Sequence, residues 1–207
     1  PDQRQRMIDE EEFNKPLVIG GQEFLPGERG TVQLPVGHLI THEVVQLTVH
    51  VRRGLKPGPR MLLTAALHGD EINGVETIRR VLRLKMRQLD GDLIAIPIVN
   101  LPAFLGRSRY LPDRRDLNRL FPGSASGSFG ARLARVVTKE VASHCTHAID
   151  LHTGAVNRPN LPQIRFSPDV PGTVEMASAF DAPVMMESST LPGSFREVFA
   201  KQRIPQL

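Results

Sequence analysis

His68 and Glu71 stand three residues apart in Leu62-Leu63-Thr64-Ala65-Ala66-Leu67-His68-Gly69-Asp70-Glu71, where an unbroken apolar run gives way abruptly to polar residues. An imidazole and a carboxylate at this spacing, in a turn between a buried strand and a helix, can aim at one point beyond the sheet edge. A divalent metal, zinc first among them, is the chemistry such a pair suits. Zinc in hydrolytic sites takes three protein ligands and keeps a fourth position open for water. His152 is the candidate third ligand, because it follows the short apolar strand Ala148-Ile149-Asp150-Leu151 just as His68 follows its own. Side chains at the carboxyl ends of neighbouring parallel strands converge on the crevice where α/β proteins bind ligands. Asp150 could accept the second ring N–H of a histidine ligand, or sit beside the catalytic water. The plainer alternative is that Asp70 and Glu71 only complement the dipole of a helix start. A two-histidine, one-carboxylate set would also accept cobalt or manganese.

A second group lies in the segment from Asn100 to about Gly127, which follows neither the strand nor the helix period. Unpatterned stretches of this length in a compact domain tend to be functional. Arg107, Arg109, Arg114, Arg115 and Arg119 fall within it, with Asp113 and Asp116 among them. A guanidinium can clamp a carboxylate through two parallel hydrogen bonds, or stabilise an oxyanion near a metal. A solvated basic loop neutralised by Asp113 and Asp116 is the simpler account of Arg107, Arg114 and Arg115.

The elements needed to position these groups can be read from periodicity. Thr31–Val36 is a short strand. Between His42 and Arg52, Val45, Leu47, Val49 and Val51 alternate with Gln46, Thr48 and His50, the pattern of a half-buried strand with His50 on its polar face. Arg60–Leu67 is apolar on both faces, as a doubly covered strand should be. Ile72, Val75, Ile78, Leu82, Met86 and Leu89 recur at helical spacing, with Glu76, Arg79, Arg80, Arg83 and Arg87 on the other side. Leu93–Val99 is a further strand, and Pro97 predicts an edge or a bulge in it. A helix from Phe129 to Val141, the strand Ala148–Leu151, a loop at Asn157–Pro162, a short helix at Val174–Phe180, a strand at Pro183–Met186 and a helix around Phe195–Phe199 complete the chain. Alternating strands and helices predict an α/β fold: a mixed, mostly parallel central sheet flanked by helices, extended by early antiparallel strands. Residues 1 to about 15 read as loosely attached. The division expected is an N-terminal extension, partly irregular, over 1–30 and one catalytic domain over 31–207.

Composition narrows the partners. The 207 residues carry a net charge of +4, but basic and acidic residues are interspersed, Trp is absent and Tyr occurs once. Stacking on nucleic acid has little to work with, so no nucleic-acid partner is expected. No stretch reaches the ~18 apolar residues of a membrane span, and no signal-peptide core follows the N-terminus. The single Cys145 excludes an internal disulfide and fits a reducing, cytoplasmic setting, as a buried structural thiol.

His68-Gly69-Asp70-Glu71, Arg109-Tyr110, Asp116-Leu117-Asn118-Arg119 with Phe121-Pro122-Gly123, and Asp150-Leu151-His152 follow one another in an order and spacing that resembles the succinylglutamate desuccinylase/aspartoacylase family. That family belongs to the zinc carboxypeptidase-like superfamily, and the resemblance runs from about Met61 to the C-terminus. It implies one zinc per chain held by His68, Glu71 and His152. Arg109 would polarise the scissile carbonyl and stabilise its oxyanion. Asn118 and Arg119 would grip a substrate carboxylate, with Arg196 in Ser194-Phe195-Arg196 as a further carboxylate-binding residue. The implied activity is hydrolysis of an amide bond in a small, anionic N-acylated amino acid or related carboxylate. One departure matters. The family's general base is a glutamate on a strand after the last helix, and Glu175, Glu187 and Glu197 do not stand in that context. The family's C-terminal β-rich domain has no counterpart either, so the chain reads as the zinc-binding part of a longer enzyme or as a naturally short homologue. Two other readings remain at this point: a zinc carboxypeptidase acting on peptides, and a non-catalytic metal-binding domain. The oligomeric state has no signature in the sequence.

Overall fold

The computed structural model describes residues 7–38, 41–86, 89–154 and 158–207. The expectations for residues 1–6, for positions 87–88 and for the start of the 157–162 loop lie outside them. The described chain opens with a short helix, α1 (Glu10–Asn14), and a hairpin of β1 (Leu17–Ile19) and β2 (Gln22–Phe24). Three long strands follow: β3 (Arg29–His38), β4 (Val44–Arg53) and β5 (Lys56–Ala65). Helix α2 (Asn73–Arg83) leads to β6 (Asp90–Ile96), and α3 (Leu101–Leu105) opens the arginine-rich segment. That segment contains a single 3-10 turn at Leu117–Arg119 and ends at α4 (Phe129–Val136), whose last turns widen into a π turn over Val137–Val141. Then come β7 (His147–Leu151), β8 (Gln163–Phe166), α5 (Thr173–Phe180), β9 (Val184–Glu187) and α6 (Phe195–Lys201).

Five strands form the central sheet in the order β3-β4-β6-β5-β7. The β3/β4 and β4/β6 pairs are antiparallel, and β6/β5 and β5/β7 are parallel. The sheet is therefore mixed, with its parallel half carrying the candidate ligands. Beyond β7, Pro205–Leu207 add a further parallel rung, through Ala148 N–H to Pro205 O and Asp150 N–H to Leu207 O. Strands β8 and β9 pair in parallel as a separate small sheet.

The apolar run that carries β5 is covered on both faces. Leu62 joins the main core with Leu47, Val49, Ile94, Leu133 and Phe199. Leu63 and Ala65 face the other way, against Ile78, Val75 and Leu82 of α2. Helices on both faces are what lets this strand dispense with polar alternation. In β4, Leu47, Val49 and Val51 are buried while Gln46 is exposed and Thr48 and His50 are half-buried, with His50 Nδ1 at 3.1 Å from Thr31 Oγ1. Cys145 is buried and donates to Val141 O. Among the described residues no helix is long and apolar enough to cross a membrane.

Three expectations change. The segment up to residue 15 is fastened rather than loose from Ile8 onward. Asp9 caps α1 by accepting from Glu12 N–H at 2.8 Å, and Phe13 is buried. The fully buried guanidinium of Arg53 explains the attachment. It donates to Phe13 O, Lys15 O and Phe24 O, stacks on the Phe13 ring, and pairs with Asp92 Oδ1 at 3.1 Å. Leu17, Ile19 and Phe24 of the hairpin pack into the main core, so packing is continuous across residue 30. The second change concerns α2, which ends at Arg83 instead of reaching Leu89. Leu89 O and Gly91 O are taken by Leu55 N–H and Gly54 N–H, so the chain must already have turned to enter β6. The third concerns Pro97. Strand β6 is interior, not an edge, and it ends at Ile96, so the proline's missing N–H falls just outside the ladder.

Candidate metal centre

After β5 the chain turns sharply at Ala66, whose φ of +49° lies in the left-handed region. The turn is held by Val99 N–H on Ala65 O, Asn100 N–H on Ala66 O, and the Asn100 amide on Leu67 O. It presents His68 and Glu71, both buried, beyond the strand end. Gly69 is required here: a Cβ on it would lie 2.0–2.2 Å from backbone atoms of Ala103 and Phe104. Parallel pairing of Ala65 with Leu151 sets the end of β7 beside this turn, which brings His152 to Glu71.

The candidate ligand atoms of His68, Glu71 and His152 all lie within 4.8 Å of one another. Each imidazole turns Nδ1 toward Glu71, His68 at 2.9 Å from Oε1 and His152 at 2.8 Å from Oε2. Each Nε2 is held on another carboxylate, His68 on Asp116 Oδ1 at 3.1 Å and His152 on Asp150 Oδ2 at 2.7 Å. A donor held at Nε2 leaves the Nδ1 lone pair free for a metal, the usual second support of a histidine ligand. Thr64 Oγ1 donates to the other Asp150 oxygen at 2.7 Å. His68 has a side-chain exposure of 3%, against 35% for His152, so the cluster opens on the His152 side.

The electrostatics describe a site short of positive charge. Burial disfavours charge on Glu71, yet His152 and His68 outweigh it and hold the carboxyl well below the usual range. The same competition, burial against His68 and Arg109, holds Asp116 low. Burial opposes protonation of His152, but Asp150 and Glu71 prevail and push it up to about 10. His68 is raised too, against burial, by Asp116 and Glu71. Three carboxylates face one contacting guanidinium, that of Arg109. Two negative charges remain, and either protons on both histidines or one divalent cation can balance them. Two imidazole Nδ1 atoms and a carboxylate, each imidazole backed by a second carboxylate, form a donor set that fits such a cation.

The arginine segment closes over this cluster. Arg109 donates through Nη1 to Glu71 Oε1 at 3.2 Å, lies 3.3 Å from His68 Nδ1, and donates through Nη2 to Asp116 Oδ2 at 3.2 Å. Asn118 supports the last helix: its Oδ1 accepts from Phe195 N–H at 2.8 Å, and Phe121 N–H bonds Gly193 O. The start of α6 therefore stands on the Asn118–Phe121 segment. Arg196, in that first turn, lies within electrostatic reach of Asp150, and its Nε is buried with no hydrogen-bond partner among the described residues. Arg119 is exposed and its guanidinium folds back onto Asn118 O. Tyr110 is exposed as well.

A family model for the succinylglutamate desuccinylase/aspartoacylase catalytic domain matches residues 57–204. The chain belongs to this family. Two solved structures of succinylglutamate desuccinylase/aspartoacylase relatives superpose on it. One, from Rhodobacter sphaeroides, has 28% identity and a TM-score of 0.76, covering 86% of this chain and 55% of the other. The second, an aspartoacylase family protein from Mesorhizobium loti, has 28% identity and a TM-score of 0.78 over 87% and 60%. An N-alpha-acetyl-L-2,4-diaminobutyric acid deacetylase from Halomonas elongata is 35% identical over 113 residues, 54% of this chain and 32% of that protein. The chain thus matches about a third of the length of this relative and little more than half of the solved structures.

In the sequence Asp116 reads as a counter-charge for the arginine loop; in the structure it joins His68, Arg109 and the Asn118 N–H in one set of bonds. Its only sequence signal was its place at the head of Asp116-Leu117-Asn118-Arg119. No glutamate but Glu71 enters the cluster among the described residues. Glu175 and Glu187 are exposed, and Glu197 serves Gly193 N–H and Lys201.

Proposed function

We propose that the chain is the metal-binding catalytic part of a zinc-dependent deacylase, which hydrolyses the amide bond of a small N-acylated amino acid or related carboxylate. The observation that carries this reading is the His68–Glu71–His152 cluster, buried at His68 and Glu71 and open at His152, with each histidine backed by its own carboxylate and an arginine closing over it. The zinc, one per chain, would be held by these three residues, and when bound it supplies Lewis-acid polarisation of a carbonyl and a water of lowered pKa. Arg109 would donate to the developing oxyanion from its position over Glu71 and His68. Asn118, Arg119 and Arg196 would hold the substrate's carboxylate, Arg119 swinging off its own loop carbonyl to do so. Asp150, with both oxygens engaged, orients His152 rather than accepting the water's proton. A deacetylase of N-acetylated diaminobutyric acid among the relatives supports a small acylated amino acid as the substrate class. The free thiol of Cys145 supports a reducing compartment such as the cytoplasm.

A second reading has one observation in its favour. With no further glutamate in the cluster among the described residues, a metal-binding domain without hydrolytic activity remains consistent with the same geometry. Metal analysis of His68→Ala and His152→Ala tests the centre itself. Each variant should lose stoichiometric zinc, and full retention by both would remove the site assignment. Release of acetate from Nα-acetyl-L-2,4-diaminobutyrate by the zinc-loaded wild type would then separate the hydrolase from the inert metal domain.

A further inference from the structure

The apolar run 61–67 carries a single hydroxyl, that of Thr64. Alternation sets Thr64 on the same face of β5 as Leu62, which joins the main core, and Thr64 is fully buried. For packing alone a valine would serve this strand position as well, and would need no hydrogen-bond partner. What the hydroxyl meets is Asp150. The parallel register of β5 and β7 sets Thr64 opposite Asp150, one rung before Ala65 meets Leu151 and the two strands end. Thr64 Oγ1 donates to Asp150 Oδ1 at 2.7 Å, and Asp150 Oδ2 holds His152 Nε2 at 2.7 Å. On the other side of the ring, His152 Nδ1 faces Glu71 Oε2 at 2.8 Å. The plane of an aspartate carboxylate turns on a broad, two-fold torsion that its own rotamer does not fix. A donor on the far oxygen therefore decides where the near oxygen points. Among the described residues Thr64 is the one donor to Asp150 Oδ1. The Asp150 side chain is 5% exposed, so that oxygen has little access to water in its place.

We infer that Thr64 is a positioning residue for the metal centre: its hydroxyl fixes the Asp150 carboxylate so that Oδ2 takes the His152 Nε2–H and the Nδ1 lone pair is directed at the cation. The inference rests on the metal-centre reading above and adds a residue to it. Among the described residues Thr64 Oγ1 bonds no candidate ligand directly, so its effect on the metal passes through Asp150.

Threonine and valine are nearly isosteric and differ by the hydroxyl, and serine and alanine differ by the hydroxyl too, so two pairs of chains separate bonding from packing. The assay is zinc competition against a chromogenic chelator on stripped protein. Thr64→Ser should bind zinc as wild type does. Thr64→Val and Thr64→Ala should each bind about tenfold more weakly, the low end of the loss expected when the support of a metal-binding histidine is removed. Affinity should follow the hydroxyl, whatever loss of the methyl group does to Tm in the serine and alanine variants; should the valine variant not fold, the serine and alanine pair carries the comparison. In proton NMR of the zinc-loaded protein, the hydroxyl-free variants should broaden the imidazole N–H of His152 and leave that of His68, held on Asp116, unchanged. Equal zinc affinity of wild type and Thr64→Val, or of Thr64→Ser and Thr64→Ala, would overturn the role of Thr64 while leaving the metal centre in place. Broadening of both N–H signals would mark a general loosening of the fold and overturn it as well. Failure of wild type to bind zinc stoichiometrically would overturn the metal-centre reading, and the role of Thr64 with it.

Discussion

Asp116 is where a single atom-for-atom change tests the arrangement of the site. Its Oδ1 accepts from Asn118 N–H at 2.8 Å and faces His68 Nε2 at 3.1 Å, and its Oδ2 accepts from Arg109 at 3.2 Å. Asp116→Asn keeps the shape and one oxygen. With that oxygen on Asn118 N–H and His68, the turn and the imidazole keep their acceptor, but the new NH2 group confronts Arg109. With the amide reversed, NH2 confronts the His68 Nε2–H. The first orientation sets one contact donor against donor, the second sets two, Asn118 N–H included, and in both the negative charge is gone. Loss of a carboxylate behind a metal-binding histidine costs about 10–100-fold in metal affinity, or about 1.4–2.7 kcal/mol. The assay is zinc competition against a chromogenic chelator near neutral pH, on chelator-stripped protein, with circular dichroism to verify the fold. Asp113→Asn is the control, since among the described residues Asp113 pairs with Arg115 alone, at 3.7 Å on the surface, and should bind zinc as wild type does. Zinc affinity of a folded Asp116→Asn variant within about threefold of wild type would refute the claim that Asp116 supports a metal-binding His68.

Other outcomes follow from the same charges. Asp92→Asn leaves Arg53 and Arg60 buried beside a neutral amide; the expected loss is about 3–5 kcal/mol, a fall in Tm of roughly 6–12 °C or more, and a calorimetric shift under ~2 °C would contradict it. In the metal-free protein His152 is raised to about 10 from 6.5, so its contribution is complete below pH 6.5 and is lost as the pH climbs toward 10. Glu71 is depressed from 4.5, so its contribution is present above that pH and is lost as the pH falls further. Urea unfolding of stripped protein should therefore show greatest stability between those two values, with zinc restoring the alkaline side; a flat profile with and without zinc would be inconsistent with this charge set. Burial pushes the Cys145 thiol up to about 12, so Ellman's reagent should label it only on unfolding, and rapid labelling of native protein would place it elsewhere.

What the sequence made visible was local. The break from Leu67 to His68 and from Leu151 to His152 sits at the ends of short apolar runs, so strand ends and candidate ligands are readable together. Their meeting still depended on β5 and β7 being neighbours, which follows only once helices are known to cover both faces of β5. Asp116 was opaque for the opposite reason. It lies 48 residues from His68 in a stretch without periodicity, and its value comes from bonds to partners distant in the chain. The N-terminal segment is opaque in the same way, because Glu10–Asn14 is polar and short, and what holds it is Arg53, one residue beyond the strand that periodicity marks from His42 to Arg52. Pro97 predicts an edge or a bulge only if the strand runs on to Val99, and the strand ends at Ile96 instead.

These two kinds of residue divide the work of the site. The strand ends set the three candidate ligands, and the aperiodic segment sets how they are charged and covered. Asp116 belongs to both parts, since one of its oxygens faces His68 and the other holds Arg109. In the metal-free arrangement Arg109 reaches into the cluster, onto Glu71 and against His68 Nδ1, where it partly offsets the unbalanced carboxylates. A divalent cation on Glu71 and the two Nδ1 atoms would repel that guanidinium, while Asp116 retains it by its second oxygen. Asp116 therefore links the candidate ligand His68 to the placement of Arg109: were Glu71 to hold a cation, the guanidinium would keep its bond to Asp116 and its Nη1 would be available to a substrate oxygen.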